Sequence, residues 1–151
     1  MPYEYELNLD ELKDWCEDFA KVMPKPFYIY LDGDLGCGKT TFTRHICESL
    51  GVLETVTSPS YQLLNNYPSE QGDIIHIDLY RLEHEQDLDD LCVEEMVDTA
   101  RLMLIEWHQK LTHILPPSDV IMNIRICESG KRRYQLVAMS ARGKQCLDAL
   151  T

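Results

Sequence analysis

No stretch of this 151-residue chain stays apolar long enough to cross a bilayer, which excludes a transmembrane helix. The N-terminus, Met1-Pro2-Tyr3-Glu4-Tyr5-Glu6, has neither the basic start nor the apolar run of a secretion signal. The six cysteines (Cys16, Cys37, Cys47, Cys92, Cys127 and Cys146) include no C-x-x-C pair, which argues against a zinc cluster. A disulfide scaffold is not expected in a chain with this much apolar material. Reduced thiols and a cytoplasmic location are the expectation, with no membrane partner. Basic residues are few: 14 Lys and Arg against 26 Asp and Glu give a net charge of −12. That balance speaks against general binding of nucleic acid by the whole surface. There is no internal repeat, no low-complexity tract and no linker, so residues 1–151 read as a single domain with one good core.

The chain is organised around Gly33-Asp34-Leu35-Gly36-Cys37-Gly38-Lys39-Thr40. This is G-x-x-x-x-G-K-[ST], the phosphate-binding loop of nucleoside triphosphate hydrolases and kinases. Glycines let the backbone curl so that successive N–H groups cradle phosphate oxygens. Lys39 reaches the β- and γ-phosphates in this motif, and the Thr40 hydroxyl ligates Mg²⁺. The motif requires a strand before it and a helix after it. Phe27 to Leu31 supplies the β-branched and aromatic strand, and Thr41 to Leu50 continues as a helix that Gly51 caps. The helix N-terminus adds its dipole to the site.

The rest of the chain alternates strand and helix patterns. Tyr3 to Leu9 reads as an edge strand, and Asp10 as the N-cap of a helix with Leu12, Trp15, Cys16, Phe19 and Ala20 on one side. Pro24 and Pro26 break that helix. Gln62 to Tyr67 is extended, 68–72 a turn, and Ile74 to Leu79 a buried strand. Leu88, Leu91, Cys92 and Met96 give helical spacing on an acidic segment. Arg101 to Trp107 is a further apolar strand, and a short helix runs to Leu115, where Pro116-Pro117 stops it. Val120 to Cys127 and Arg133 to Met139 form a hairpin around Ser129-Gly130-Lys131, and a helix closes the chain. The acids crowd the first twenty residues and the stretch from Glu83 to Asp98. The bases gather at Arg125, Lys131, Arg132, Arg133, Arg142 and Lys144. Both runs fit solvated faces; the acidic run also fits a docking face for a basic partner.

The expected architecture is an α/β three-layer sandwich of the phosphate-loop NTPase type, mainly parallel with antiparallel edge strands. In open α/β sheets, ligands bind at the carboxyl ends of the parallel strands. Asp78 ends one strand and fits the acid that holds the hydration shell of Mg²⁺; Glu106 ends another and fits a second metal or water-orienting carboxylate. Trp107 adjoins the site and fits a base-stacking or loop-supporting role. His76 alternates onto the face of Asp78, where packing explains it as well as catalysis does. Cys37, beside Lys39 and a helix N-terminus, is expected to have a depressed pKa and high reactivity if exposed.

Four blocks carry a family resemblance: residues 33–41, Thr57-Ser58-Pro59-Ser60-Tyr61, His76-Ile77-Asp78-Leu79-Tyr80-Arg81-Leu82 and Ile105-Glu106-Trp107. In order and spacing they resemble the TsaE (YjeE) family of bacterial ATPases, required for threonylcarbamoyladenosine in tRNA. The resemblance covers nearly the whole chain. It implies Mg²⁺-dependent ATP hydrolysis alongside the TsaB–TsaD pair, with tRNA met indirectly through that complex. By motif, Gly33, Asp34, Leu35, Gly36, Cys37, Gly38, Lys39, Thr40 and Thr41 hold the phosphates, with Trp107 in the nucleotide pocket. Lys39, Asp78 and Glu106 carry the catalysis; Thr40, Asp78 and Glu106 face the metal; Thr57, Ser58, Pro59, Ser60 and Tyr61 form a switch-like loop. Cys37, Ser60 and His108 depart from the commonest pattern, and none removes a group the chemistry needs.

No arginine stands out as a finger in cis; Arg44 and Arg81 are candidates, each as well explained as a surface residue. A GTPase is disfavoured because no N-K-x-D motif occurs. Two rivals stand: a small-molecule kinase, for which Arg132-Arg133 is a thin basis for a lid, and an ATP-sensing module that does not hydrolyse.

Overall fold

The computed structural model describes residues 2–59, 63–80, 82, 84, 93–110 and 115–151. Among the described residues seven strands form one sheet: β1 (Tyr3–Leu7), β2 (Phe27–Asp32), β3 (Leu64–Tyr67), β4 (Asp73–Asp78), β5 (Ala100–Glu106), β6 (Val120–Ile126) and β7 (Arg132–Ala138). The spatial order is β1-β7-β6-β2-β5-β4-β3. Strands β6, β2, β5 and β4 run parallel. β7 and β1 extend one edge antiparallel, and β3 extends the other. The sheet is therefore a parallel core with antiparallel margins, as the strand patterns imply.

Helices α1 (Leu9–Val22), α2 (Lys39–Ser49), α3 (Val93–Thr99) and α4 (Ala141–Leu150) are the α-helices among the described residues. One core joins Leu12, Phe19, Phe42, Ile46 and Leu147 of α1, α2 and α4 to Phe27, Ile29 and Leu31 of β2. The other joins Val93 of α3, Leu79 and Leu115 to Tyr30, Ile77 and Ile105. Strand alternation sends successive residues to opposite faces, so both faces of the sheet are covered and the layers number three.

The start of α1 differs from expectation. The N-cap of α1 is Asn8, not Asp10: its side chain accepts from the Glu11 amide at 2.8 Å, and the Glu11 carboxylate accepts from the Asn8 amide at 3.0 Å. This reciprocal pair satisfies two backbone groups at once, and a cap at Asp10 would forgo it. The hairpin expected around Gly130 is present as β6 and β7, and Gly51 follows α2 with φ +90°. Of the short helix expected before Leu115, His108–Lys110 forms a 3₁₀ turn and residues 111–114 lie outside the described residues. The helical spacing from Leu88 to Cys92, with most of the acidic run, lies outside the described residues.

Candidate active site

Strand β2 delivers the chain at Asp32 into the loop 33–38, and α2 starts at Lys39 directly after it. Two glycines are required here. Gly38 caps α2 at φ +116°, a conformation that side chains rarely adopt. Gly33, at φ +148°, has no room for a Cβ, which would lie 2.5 Å from Cys37 Sγ and 2.8 Å from the Ile124 carbonyl. The α2 N-terminus has no side-chain cap and no acid in its first turn. Its leading N–H groups have no intrahelical partner, an arrangement that suits an anion.

Lys39 is the centre of this site although it is only 7% exposed. Its ammonium donates to the Gly33 carbonyl at 2.7 Å, lies 3.4 Å from Glu106 Oε1 and sits 5.2 Å from the centre of the Trp107 ring. Sheet order explains the meeting: β5 is the direct neighbour of β2, with Glu106 in register with Leu31. Glu106 is buried, and its second oxygen meets His76 Nε2 at 2.5 Å. Burial alone would push this carboxyl up. The His76 hydrogen bond and the Lys39 charge outweigh it and hold the group below the usual carboxylate range.

Asp78, one strand further out, pairs in register with Glu106. It is half-buried and accepts the Tyr80 amide at 3.0 Å. Burial raises its carboxyl above the ordinary value, against the pull of that amide. The segment expected to form a switch-like loop reaches Asp78 through the backbone: the Leu63 amide donates to the Pro59 carbonyl at 3.0 Å, and the Asp78 amide donates to the Leu63 carbonyl at 2.8 Å. Thr57 is tied to β3, its amide donating to the Tyr67 hydroxyl at 3.2 Å, and Ser58 is exposed beside it. Ser60, Tyr61 and Arg81 lie outside the described residues.

Trp107 turns the chain at the end of β5 with φ +61° and packs against Tyr80, ring centres 5.0 Å apart. Its contact with the Lys39 ammonium places it beside the start of α2. His108 stacks on Tyr30 at 4.5 Å, and its Nε2 meets Asp32 Oδ1 at 3.1 Å, so it braces the end of β2.

Two side chains at the site carry more than spacing suggests. His76 is bound to Glu106, as above. Arg132, at the start of β7, donates from Nε to the Cys37 carbonyl at 2.8 Å and from Nη1 to the Gly130 carbonyl at 3.0 Å. It is thus a strut on the phosphate loop and not part of a lid. The available signal was the basic hairpin; only the β7-β6-β2 order brings it to the loop. Cys37 differs from expectation in the opposite sense. Its thiol is 3% exposed and folds against Gly33, and burial raises its pKa despite the nearby Lys39.

Asp34 and Leu35 are exposed at the loop tip, with Gly36 at φ +80° beside them, and Thr40 and Thr41 are half-buried on α2. A cleft of about 710 Å³ is lined by Asp32, Asp34, Leu35, Lys39, Trp107 and Arg125, among others. A second, of about 240 Å³, lies between Gly38, Thr41, Arg132, Tyr134 and the β1–α1 junction. Among the described residues no group of three or more His, Cys, Asp or Glu side chains is placed to hold a metal. Mg²⁺ on a nucleotide needs only one or two protein oxygens, and the Thr40 hydroxyl with the Asp78 and Glu106 carboxylates is a hard-oxygen set of that kind.

A sequence profile of the family described as Threonylcarbamoyl adenosine biosynthesis protein TsaE matches residues 7–135. The chain belongs to the TsaE family. The tRNA threonylcarbamoyladenosine biosynthesis protein TsaE of Haemophilus influenzae is 36% identical over 138 residues, covering 88% of this chain and 87% of that one. The Bacillus subtilis protein of the same name is 31% identical over 145 residues, covering 96% and 90%. Among solved structures, YdiB of Bacillus subtilis matches with a TM-score of 0.81 over 99% of this chain and 94% of that one. At 23% identity that match speaks for the fold. No helix among the described residues is long and apolar enough to cross a membrane.

Proposed function

We propose that this TsaE-family chain is a Mg²⁺-dependent ATPase that works with the TsaB–TsaD pair in forming threonylcarbamoyladenosine in tRNA. The observation that carries the proposal is the Lys39 ammonium, held between the Gly33 carbonyl and the Glu106 carboxylate at the start of a helix with no side-chain cap. In this reading the N–H groups of 36–41 take the phosphates, and Lys39 exchanges Glu106 for the β/γ-phosphate oxygens. Bound Mg²⁺, held by Thr40 with Asp78 and Glu106 directly or through water, would neutralise charge on those phosphates. The Glu106 and Asp78 carboxylates also orient water for in-line attack on the γ-phosphate. The ribose and base pass Thr41 into the smaller cleft, beside Arg132 and Tyr134. The five described cysteines are free thiols, which suits a cytoplasmic protein.

Arg132 engages the Cys37 carbonyl of the loop, and no described arginine touches Glu106 or Lys39. A finger on the transferring phosphoryl group is worth about 10³–10⁵ in rate, so the isolated chain should turn over slowly and its partners should accelerate it. The larger cleft favours one rival, transfer to a second substrate, since it opens beside Lys39 with Asp32 held by His108 and Gln109. Phosphate release to water, with and without the TsaB–TsaD pair, separates these readings. The expectation is slow release alone, stimulation by the pair, and loss of release in Asp78→Ala and Glu106→Ala with nucleotide affinity largely kept. Unchanged release in both variants would remove the carboxylates from the mechanism, and label appearing only on an added acceptor would favour the kinase.

A further inference from the structure

We infer that His76 is a positioning residue, which holds the Glu106 carboxylate in its working orientation when Lys39 is taken by a nucleotide. The inference rests on the ATPase reading and extends it to a residue that the phosphate-loop chemistry does not name.

His76 lies in the middle of β4, flanked on its own face by Ile74 and Asp78, and its side chain is fully buried. Its neighbours across the strands are Leu104 and Asn65. An aliphatic residue would suit such a position, and an imidazole there must answer for two polar nitrogens. Nε2 donates to Glu106 Oε2; Nδ1 has no partner among the described residues. The ring is therefore kept in the core, and among the described residues its single polar contact is the site carboxylate.

The register explains the reach. Glu106 pairs with Asp78 and Leu104 pairs with His76, so the Glu106 side chain meets the ring on the diagonal, back from the end of its own strand. One oxygen of Glu106 faces Lys39 at 3.4 Å and the other faces His76 at 2.5 Å. Phosphates that draw Lys39 away leave His76 as the contact that keeps the carboxylate from rotating. Outer partners of this kind orient the groups that do the chemistry.

The test compares His76→Leu, which fills the space without a donor, with His76→Gln, whose amide N–H reaches about as far as Nε2. Two readouts are taken: kcat and KM for phosphate release, and the gain in ADP affinity that Mg²⁺ brings, measured by calorimetry. His76→Leu is expected to lower kcat by about 10–100-fold with little change in KM, and to cut the Mg²⁺ gain by a similar factor. His76→Gln should restore both to within a few fold. In a Glu106→Gln background, His76→Leu should change neither further.

Parental values in His76→Leu, or an equal loss with and without Glu106, would overturn the inference and leave the ATPase reading standing. A parent that releases no phosphate would overturn that reading instead, and the calorimetric cycle would still report whether His76 acts through Glu106. Should His76→Leu fail to fold, His76→Asn replaces it. Its shorter amide falls below His76→Gln on this account, and equal behaviour of the two contradicts it.

Discussion

The Lys39 ammonium already has three neighbours: a carbonyl, a carboxylate and an aromatic face. A buried cation needs such partners, and a nucleotide must therefore compete for it and does not meet a bare charge. The same crowding governs Cys37. A loop thiol beside a lysine and a helix N-terminus is generally acidic and reactive. Here the thiol turns inward against Gly33, and burial raises its pKa. At neutral pH it stays protonated. Maleimide is expected to modify Cys37 only as fast as the chain opens, and the half-exposed Cys127 sooner. Peptide mapping over a time course reads both, and prompt labelling of Cys37 in the folded protein would contradict the placement. Neither this inversion nor the His76–Glu106 contact was legible from composition or spacing. Each depends on which way a side chain turns once its neighbours are packed.

At the scale of elements, most of the pattern was written in the periodicity. Trp15, Cys16 and Phe19 mark the buried stripe of α1, and the apolar runs ending on Asp78 and Glu106 became β4 and β5. The start of α1 depended on a shorter signal, Asn8 followed three residues later by Glu11, which competes with Asp10 for the cap and wins by making two hydrogen bonds. Asn8→Ala should therefore cost about 1 kcal/mol of stability and lower the melting temperature by about 2–4 °C. Asp10→Ala should leave it nearly unchanged. Thermal melts followed by circular dichroism check the pair, and the reverse ranking would return the cap to Asp10. Arg132 belongs to this scale as well. It is one base among several in the hairpin, and its role arises because β7 and β6 bring it beside the loop that follows β2.

For the whole molecule, the parallel core places Asp32, Asp78, Glu106 and the phosphate loop at one end of the sheet, where ligands bind in folds of this kind. The chain order of strands and helices made that end foreseeable. Which carboxylate stands nearer the lysine was not, because it depends on β5 and not β4 lying next to β2. In the proposed function this end of the sheet holds the phosphates of ATP through Lys39. Calorimetric titration of Mg-ATP into the parent protein and into Lys39→Ala tests it most directly, with a melt of each to show that the variant is folded. The parent should bind saturably at one site, and the variant should bind about 10–100-fold more weakly, the worth of a hydrogen bond to a charged group. Equal affinity in the two folded proteins, or no binding by the parent, would contradict the claim.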